Sequence, residues 1–187
     1  MRAVAISAFG GSEVMQVRDL AAPVPELGQV LIRVAAAGVN PVDWKIRDGY
    51  MKDLVPFTFP TILGNEVAGT VEAVADGVTG FAVGDAVHAA TGLTGGFADL
   101  VAVAADMVAP IPSRLTAIEA AGVPVAAATA IAALDAGGVR AGSRILIHAA
   151  SGGVGSLALQ LACARGAEVT ALASPDNLDF VRGLGAS

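Results

Sequence analysis

Arg144-Ile145-Leu146-Ile147-His148-Ala149-Ala150-Ser151-Gly152-Gly153-Val154-Gly155 decides the fold of this chain. The first seven residues are largely apolar and read as a buried strand over 144–150, three glycines within four positions then force a turn, and the stretch that follows, free of Gly and Pro after Gly155, reads as a helix over 154–165. Ala150-Ser151-Gly152-Gly153-Val154-Gly155 fits G-x-G-x-x-G with Ala150 in the place of the first glycine, and it stands where that pattern must, after a strand and opening a helix. Gly152 lacks a Cβ that would keep a pyrophosphate from the backbone, Gly155 permits close packing of helix on strand, and the first N–H groups of the helix are free to face an anion. Further on, residues 168–173 read as a second strand and 175–184 as a second helix. The order βαβα is the opening of a doubly wound parallel sheet, which makes this part of the chain α/β.

Towards the N-terminus the texture changes. Ser113 or Thr116 can cap a helix beginning near Ala117, Glu119 three residues after Thr116 giving the form of a capping box; Pro124 interrupts it before a second helical stretch over 125–134, and Gly137-Gly138 ends that one. Before Pro112 the pattern is of short strands, 2–7, 30–37, 67–74, 86–88 and 97–103, separated by Gly, Pro and Asp, with tight-turn signals at Gly77 and at Gly84-Asp85. These strands suggest an irregular β-barrel. The expected division is a barrel domain over 1–115, followed over 116–187 by linking helices and the first part of the nucleotide-binding sheet.

Composition excludes several classes. With 55% hydrophobic residues and 15% charged, the 187-residue chain has ample material for a core and none of the polarity of a disordered one. The longest uncharged run, Ile145 to Ala164, contains Ser151, Gly152, Gly153, Gly155, Ser156 and Gln160, so it is read as strand, turn and helix rather than as a membrane span. The N-terminus alternates like a strand and has no secretory pattern, and the single cysteine, Cys163, permits no internal disulfide, so the expected location is cytoplasmic. Residues 1–112 carry 6 Lys and Arg against 12 Asp and Glu, while 113–187 carry 5 against 5. An acidic chain without a basic stripe is a poor partner for nucleic acid or an anionic membrane, whereas its neutral second half does not repel an anionic cofactor.

The second strand bears on which dinucleotide is bound. An NAD site carries Asp or Glu at its end to hold the ribose 2′-OH, but here the chain reads Ala173-Ser174-Pro175-Asp176-Asn177. Ser174 brings a hydroxyl and no charge to repel a 2′-phosphate, which favours NADPH, although no Arg or Lys stands beside it. Asp176 is read as a cap of the following helix rather than as a ribose ligand.

Several ordered stretches carry a family resemblance: Gly38-Val39-Asn40-Pro41-Val42-Asp43, Lys45-Ile46-Arg47-Asp48-Gly49-Tyr50, Pro60-Thr61-Ile62-Leu63-Gly64-Asn65-Glu66-Val67-Ala68-Gly69, Val83-Gly84-Asp85, Gly95-Gly96-Phe97-Ala98, and the run from His148 to Gly155. Together they resemble the medium-chain dehydrogenases/reductases of the zinc-independent quinone oxidoreductase, or zeta-crystallin-like, type. The resemblance spans essentially the whole chain. It implies a GroES-like β-barrel catalytic domain followed by a Rossmann domain, of which the chain contains the first βαβα part.

In zinc alcohol dehydrogenases of that superfamily a Cys and a His hold the catalytic metal, but the matching positions here are Asn40 and Asn65, amides that ligate zinc poorly. His88 and His148 have no cysteine at ligand spacing, and His148 reads as a hydrogen-bonded strand residue. No metal is expected. The resemblance implies NADPH-dependent hydride transfer to a quinone or an α,β-unsaturated carbonyl, with Asn40 and Thr129 holding the nicotinamide ribose or carboxamide. It places Gly152, Gly153 and Val154 on the pyrophosphate, with Ala150 and Ser151 also among the cofactor-binding residues, and Ser174 with Asn177 on the adenosine 2′-phosphate. Asn177 departs from the Lys often found there. Tyr50, the only tyrosine, either lines the pocket and donates a proton, acting with Asn40 in catalysis, or plugs a loop. Trp44 either shapes the pocket wall or packs in the core, and Asp43 is read as a cap.

A six-stranded Rossmann sheet needs on the order of 100 further residues at about 30 per βαβ unit, so the sequence is expected to be part of a longer chain. The resemblance implies that the complete protein is a homodimer. A second class stays open: a non-catalytic NADPH-binding or interaction protein on the same scaffold.

Overall fold

Alternating burial organises the first strands. In β1 (Arg2–Ile6) Ala3, Ala5 and Ile6 are buried while Arg2 is exposed, as a strand with one covered face requires. The computed structural model describes residues 1–187 and resolves them into two units, Met1–Pro124 and Val125–Ser187.

In the first unit, β1 lies between β2 (Gln16–Asp19) and β4 (Thr61–Ile62) in a three-stranded antiparallel sheet. A five-stranded antiparallel sheet has the order β7 (Leu100–Ala104), β3 (Gln29–Ala37), β5 (Glu66–Val74), β6 (Ala86–Ala90), β8 (Val108–Pro110). An isolated bridge between Ala3 and Ala98 and the bond from Val4 N–H to the Phe97 carbonyl at 2.8 Å join the two sheets. Val30, Ile32, Val67, Val71, Val87 and Val103 form the principal core of the larger sheet. Gly69 is required here by close approach, since a Cβ would land on the carbonyl of Arg33 in the neighbouring strand.

The strands expected at 2–7, 30–37, 67–74 and 86–88 are present within one or two residues. The last of the series is shifted: β7 starts at Leu100, with the Asp99 carbonyl still accepting from the Val34 N–H of β3, while the Asp99 N–H and both backbone groups of Phe97 turn to Arg2, Leu63 and Val4. Helix α1 (Pro41–Arg47) occupies a stretch for which no helix was expected, as do the short strands β2, β4 and β8. Helix α2 (Ala117–Ala121) carries the expected capping box: Thr116 N–H and Oγ–H both donate to Glu119 Oε2 at 2.8 Å, and the Glu119 N–H returns to Thr116 Oγ1 at 3.3 Å. These bonds hold the Glu119 carboxyl below the ordinary range. Ala120 and Ala121 of α2 pack against Ala68 of β5.

The second unit begins with α3 (Pro124–Ala136), where Pro124 takes a position at the start of the helix at which its missing N–H costs nothing. Strands β9 (Arg144–Ile147) and β10 (Glu168–Ala171) pair in parallel, Ile145 opposite Val169 and Ile147 opposite Ala171, and α4 (Gly153–Ala164) connects them. This is the expected βαβ order. The first strand ends at Ile147 rather than 150, because Ala149 turns into the left-handed region with φ 52°. After β10 the chain makes a 3-10 turn over Pro175–Asn177 before α5 (Leu178–Gly183), so the final helix is shorter than the expected 175–184. Leu134, Ala150, Leu159, Ala162, Val169 and Val181 make the core of this unit. No helix in the structure is long and apolar enough to cross a membrane.

Candidate functional site

Each unit carries one half of the expected chemistry. In the first unit the sheet brings Asn40, Asn65 and Glu66 together. Ala37 at the end of β3 pairs with Val67, and the Gly38 N–H donates to the Glu66 carbonyl at 3.1 Å, so the residues just after β3 meet those just before and at the start of β5. Asn40 is the N-cap of α1, Pro41 occupies its first position, and Lys45 and Arg47 lie in its last turn, all favourable placements. Asp43 reaches back, its Oδ2 accepting from the Asn40 N–H at 2.7 Å, while its own N–H goes to the Asn40 carbonyl at 3.0 Å.

The Asn40 side chain is held at its nitrogen. Nδ2 donates to Asn65 Oδ1 at 2.9 Å and to Glu66 Oε1 at 2.7 Å. Asn65 and Glu66 are both buried, 4% and 2% exposed, so these bonds are sheltered from water. Gly38 makes room for them: a Cβ there would strike Glu66 Oε1 and sit 2.7 Å from the Ala121 carbonyl. Asn40 and Asp43 line a cavity of about 120 Å³ together with Met15, Trp44, Leu63 and Phe97. Asp43 is buried and its Oδ1 has no hydrogen-bond partner; burial pushes its carboxyl above the ordinary range, against the opposing pull of the Asn40 and Gly64 N–H groups.

Tyr50 stands near this cavity without lining it. It is 70% exposed and meets the edge of Trp44 at 5.5 Å between ring centroids, and Trp44 is itself part of the cavity wall. Of the two readings of Trp44, wall and core, the half-exposed ring on the cavity supports the wall.

In the second unit the glycine turn is built as the pattern demands. Gly152 is the N-cap of α4, Gly153 is its first residue, and Gly155 lies where a Cβ would drive into the carbonyl of Ala149 and come within 2.9 Å of Ala150 Cα. The side of Gly153 is open, with nothing within 4 Å of where a Cβ would be. Gly152, Gly153, Val154 and Gly155 line a concavity of about 500 Å³ with Ile147, His148 and Ala149. Ala150 is fully buried in the core below it. A turn of this form, with unencumbered backbone at a helix start and no acidic residue in the first turn, fits a phosphate.

Two further expected cofactor residues also meet in this unit: Asn177 Nδ2 donates to Ser174 Oγ at 2.8 Å at the C-terminal end of β10. Thr129 lies on α3, where its hydroxyl donates to the Val125 carbonyl at 2.7 Å. Glu66 is the residue that the motif reading passed over. Its signal was present as a carboxylate that opens the strand directly before the apolar run Val67-Ala68-Gly69.

An antiparallel barrel with a helix-capping asparagine in its cavity, followed by a βαβ unit with a glycine-rich first turn, defines a dehydrogenase/reductase architecture. Residues 26–113 match the alcohol dehydrogenase GroES-like domain. A solved alcohol dehydrogenase superfamily protein from Novosphingobium aromaticivorans superposes with a TM-score of 0.93 at 41% identity, over 100% of this chain and 57% of that one. The mycobacterial protein Rv1454c, solved in complex with NADPH, superposes at 0.87 with 33% identity, over 100% of this chain and 57% of the other. The quinone oxidoreductase of Sus scrofa is 43% identical over 180 residues, 94% of this chain and 54% of its own length. By sequence and fold the chain is thus similar to quinone oxidoreductases and to other proteins of the alcohol dehydrogenase superfamily. It spans somewhat more than half the length of these relatives.

Proposed function

We propose that the protein to which this chain belongs is a zinc-independent, NADPH-dependent reductase of quinones or α,β-unsaturated carbonyls. The observation that carries this reading is the pairing, within one chain, of a phosphate-fitting glycine turn at the start of α4 with a small barrel cavity walled by Asn40 and Trp44. Bound NADPH would supply the hydride. The N–H groups of Gly152, Gly153 and Val154 hold the pyrophosphate, and Ser174 with Asn177 receives the 2′-phosphate as a neutral, hydrogen-bonding pair. Preference for NADPH over NADH rests on the absence of a carboxylate at position 174 and agrees with the NADPH complex of the mycobacterial neighbour. Zinc independence rests on the donor set: Asn40 and Asn65 are neutral amides that ligate zinc poorly, and Asn65 Oδ1 already accepts from Asn40 Nδ2.

Trp44, with Tyr50 packed against it at a right angle, offers flat apolar surface to an aromatic acceptor, while Asn40 fixes a polar group beside it. A cytoplasmic homodimer belongs to the same reading, supported by the family resemblance and, for location, by the single cysteine. The test is to purify the protein from its natural source, record its intact mass, and follow NADPH oxidation with 1,4-benzoquinone and with a simple enone. A mass well above 18.4 kDa together with acceptor-dependent oxidation of NADPH is the expected result. NADPH binding without turnover would replace the reductase with a non-catalytic NADPH-binding protein.

A further inference from the structure

We propose that Glu66 is a positioning residue that locks the Asn40 side-chain amide, leaving Asn40 only its oxygen to offer a ligand. Glu66 Oε1 lies 2.7 Å from the Asn40 side-chain nitrogen and accepts its hydrogen, and a carboxyl oxygen that carries no proton has only acceptor capacity to offer. The second hydrogen of that nitrogen goes to Asn65 Oδ1 at 2.9 Å. Both donors of Asn40 are therefore consumed by two buried residues, and the polar atom left to this half-buried side chain is Oδ1, which faces the Asp43 N–H on one side as the cap of α1 and keeps its other lone pair for a ligand. An amide free to rotate offers either end to a ligand. One clamped by a buried carboxylate does not, because reversing it would set two acceptors against each other out of water.

The fold maintains the clamp from both sides. Asn40 is fixed as the N-cap of α1 with its own N–H on Asp43, and Glu66 is fixed at the start of β5, its carbonyl bonded to the Gly38 N–H. Gly38 leaves the space that the Glu66 carboxylate fills.

The consequence concerns ligand chemistry and rests on the reductase reading of the cavity, whereas the clamp does not. The group that meets Asn40 must bring the hydrogen: a ribose or substrate hydroxyl, or an amide N–H. Asn40 does not donate to an oxyanion that develops on a quinone or enone oxygen. Of the polar groups around this cavity, that donor has to be another.

The clamp is tested first on the chain itself, without cofactor, by side-chain amide NMR. In the wild type both Asn40 Hδ2 protons should exchange at least tenfold more slowly than those of an exposed asparagine and show a cross-peak to the Asn65 side chain. E66Q, whose amide oxygen can still accept, should keep them slow, and E66M, of similar length without an acceptor, should release at least one. Should E66M fail to fold, a charge-swapped pair decides. N40D sets two carboxylates face to face and should lower the folding equilibrium constant at least tenfold, and adding E66Q should restore most of that loss. Fast exchange of either Asn40 proton in the wild type, equal behaviour of E66Q and E66M, or no rescue in the double variant overturns the clamp. With the clamp confirmed, absence of NADPH turnover would count against the reductase reading alone.

Discussion

Gly38 and Asp43 flank Asn40 and constrain it in opposite ways, one by having no side chain and one by having a buried charge. A methyl group at position 38 meets the Glu66 carboxylate and the Ala121 backbone together, and the backbone cannot yield without moving α2. G38A is therefore expected to cost about 1–3 kcal/mol, the range for overpacking a filled interior, read from the urea midpoint of the chain. Asp43 makes its demand through pH. Its folded pKa is raised, chiefly by burial, so the folded protein holds this proton more tightly than the unfolded chain does. The stability that follows is full below the unfolded aspartate value of about 3.9 and is lost as pH rises through the higher folded value. D43N carries no such burden, so its stability relative to wild type should improve as pH is raised from 3.5 to 7 in paired urea titrations. A difference independent of pH would mean that Asp43 is not held in the protonation balance its burial dictates.

At the scale of elements, helix starts decide both half-sites, and they were unequally legible. Thr116-x-x-Glu119 is a capping signal that depends only on local chemistry, and α2 begins where it says. T116A should lower stability by about 1 kcal/mol, the usual worth of such a cap, with hydrogen exchange fastest in Glu119 to Ala121. The start of α1 was present in the same terms, an asparagine cap, proline at the first position, an acid at the third and bases at the end. It passed unread because seven residues are too few to show a helical period. The glycine turn was legible because each glycine answers to a different steric demand. The structure shows the sharpest at Gly155, where a Cβ meets the Ala149 carbonyl and the Ala150 backbone. G155A should push α4 off β9, at a cost of about 1–3 kcal/mol, and should accelerate amide exchange along Ser156–Ala164 more than in β3 or β5. Glu66 was not legible as a partner of Asn40, because the 26 positions between them are bridged only by the pairing of β3 with β5.

For the molecule as a whole, the contrast between its antiparallel and parallel sheets has a physical consequence. In the larger antiparallel sheet of residues 1–124 the central strands are covered on both faces, Val30 to Ile32 of β3 and Glu66 to Gly69 of β5 being buried in succession. Parallel strands need cover on both faces, but Leu146 of β9 is 57% exposed, Leu172 beyond β10 53% and Phe180 of α5 50%. β9 is hydrogen-bonded to a strand on one edge only. An apolar parallel face beside an open strand edge is surface that binds hydrophobic probes and other chains. The 187-residue chain in isolation is therefore expected to enhance bis-ANS fluorescence at neutral pH and to elute from size exclusion with a concentration-dependent mass. Leu146→Asp removes the central apolar group of that face at a position too exposed to carry core energy. It should reduce both effects while leaving the urea midpoint within about 0.5 kcal/mol of wild type, as surface substitutions do. If L146D instead unfolds residues 125–187, then Leu146 is packed in solution against something that the fold of the single chain does not supply.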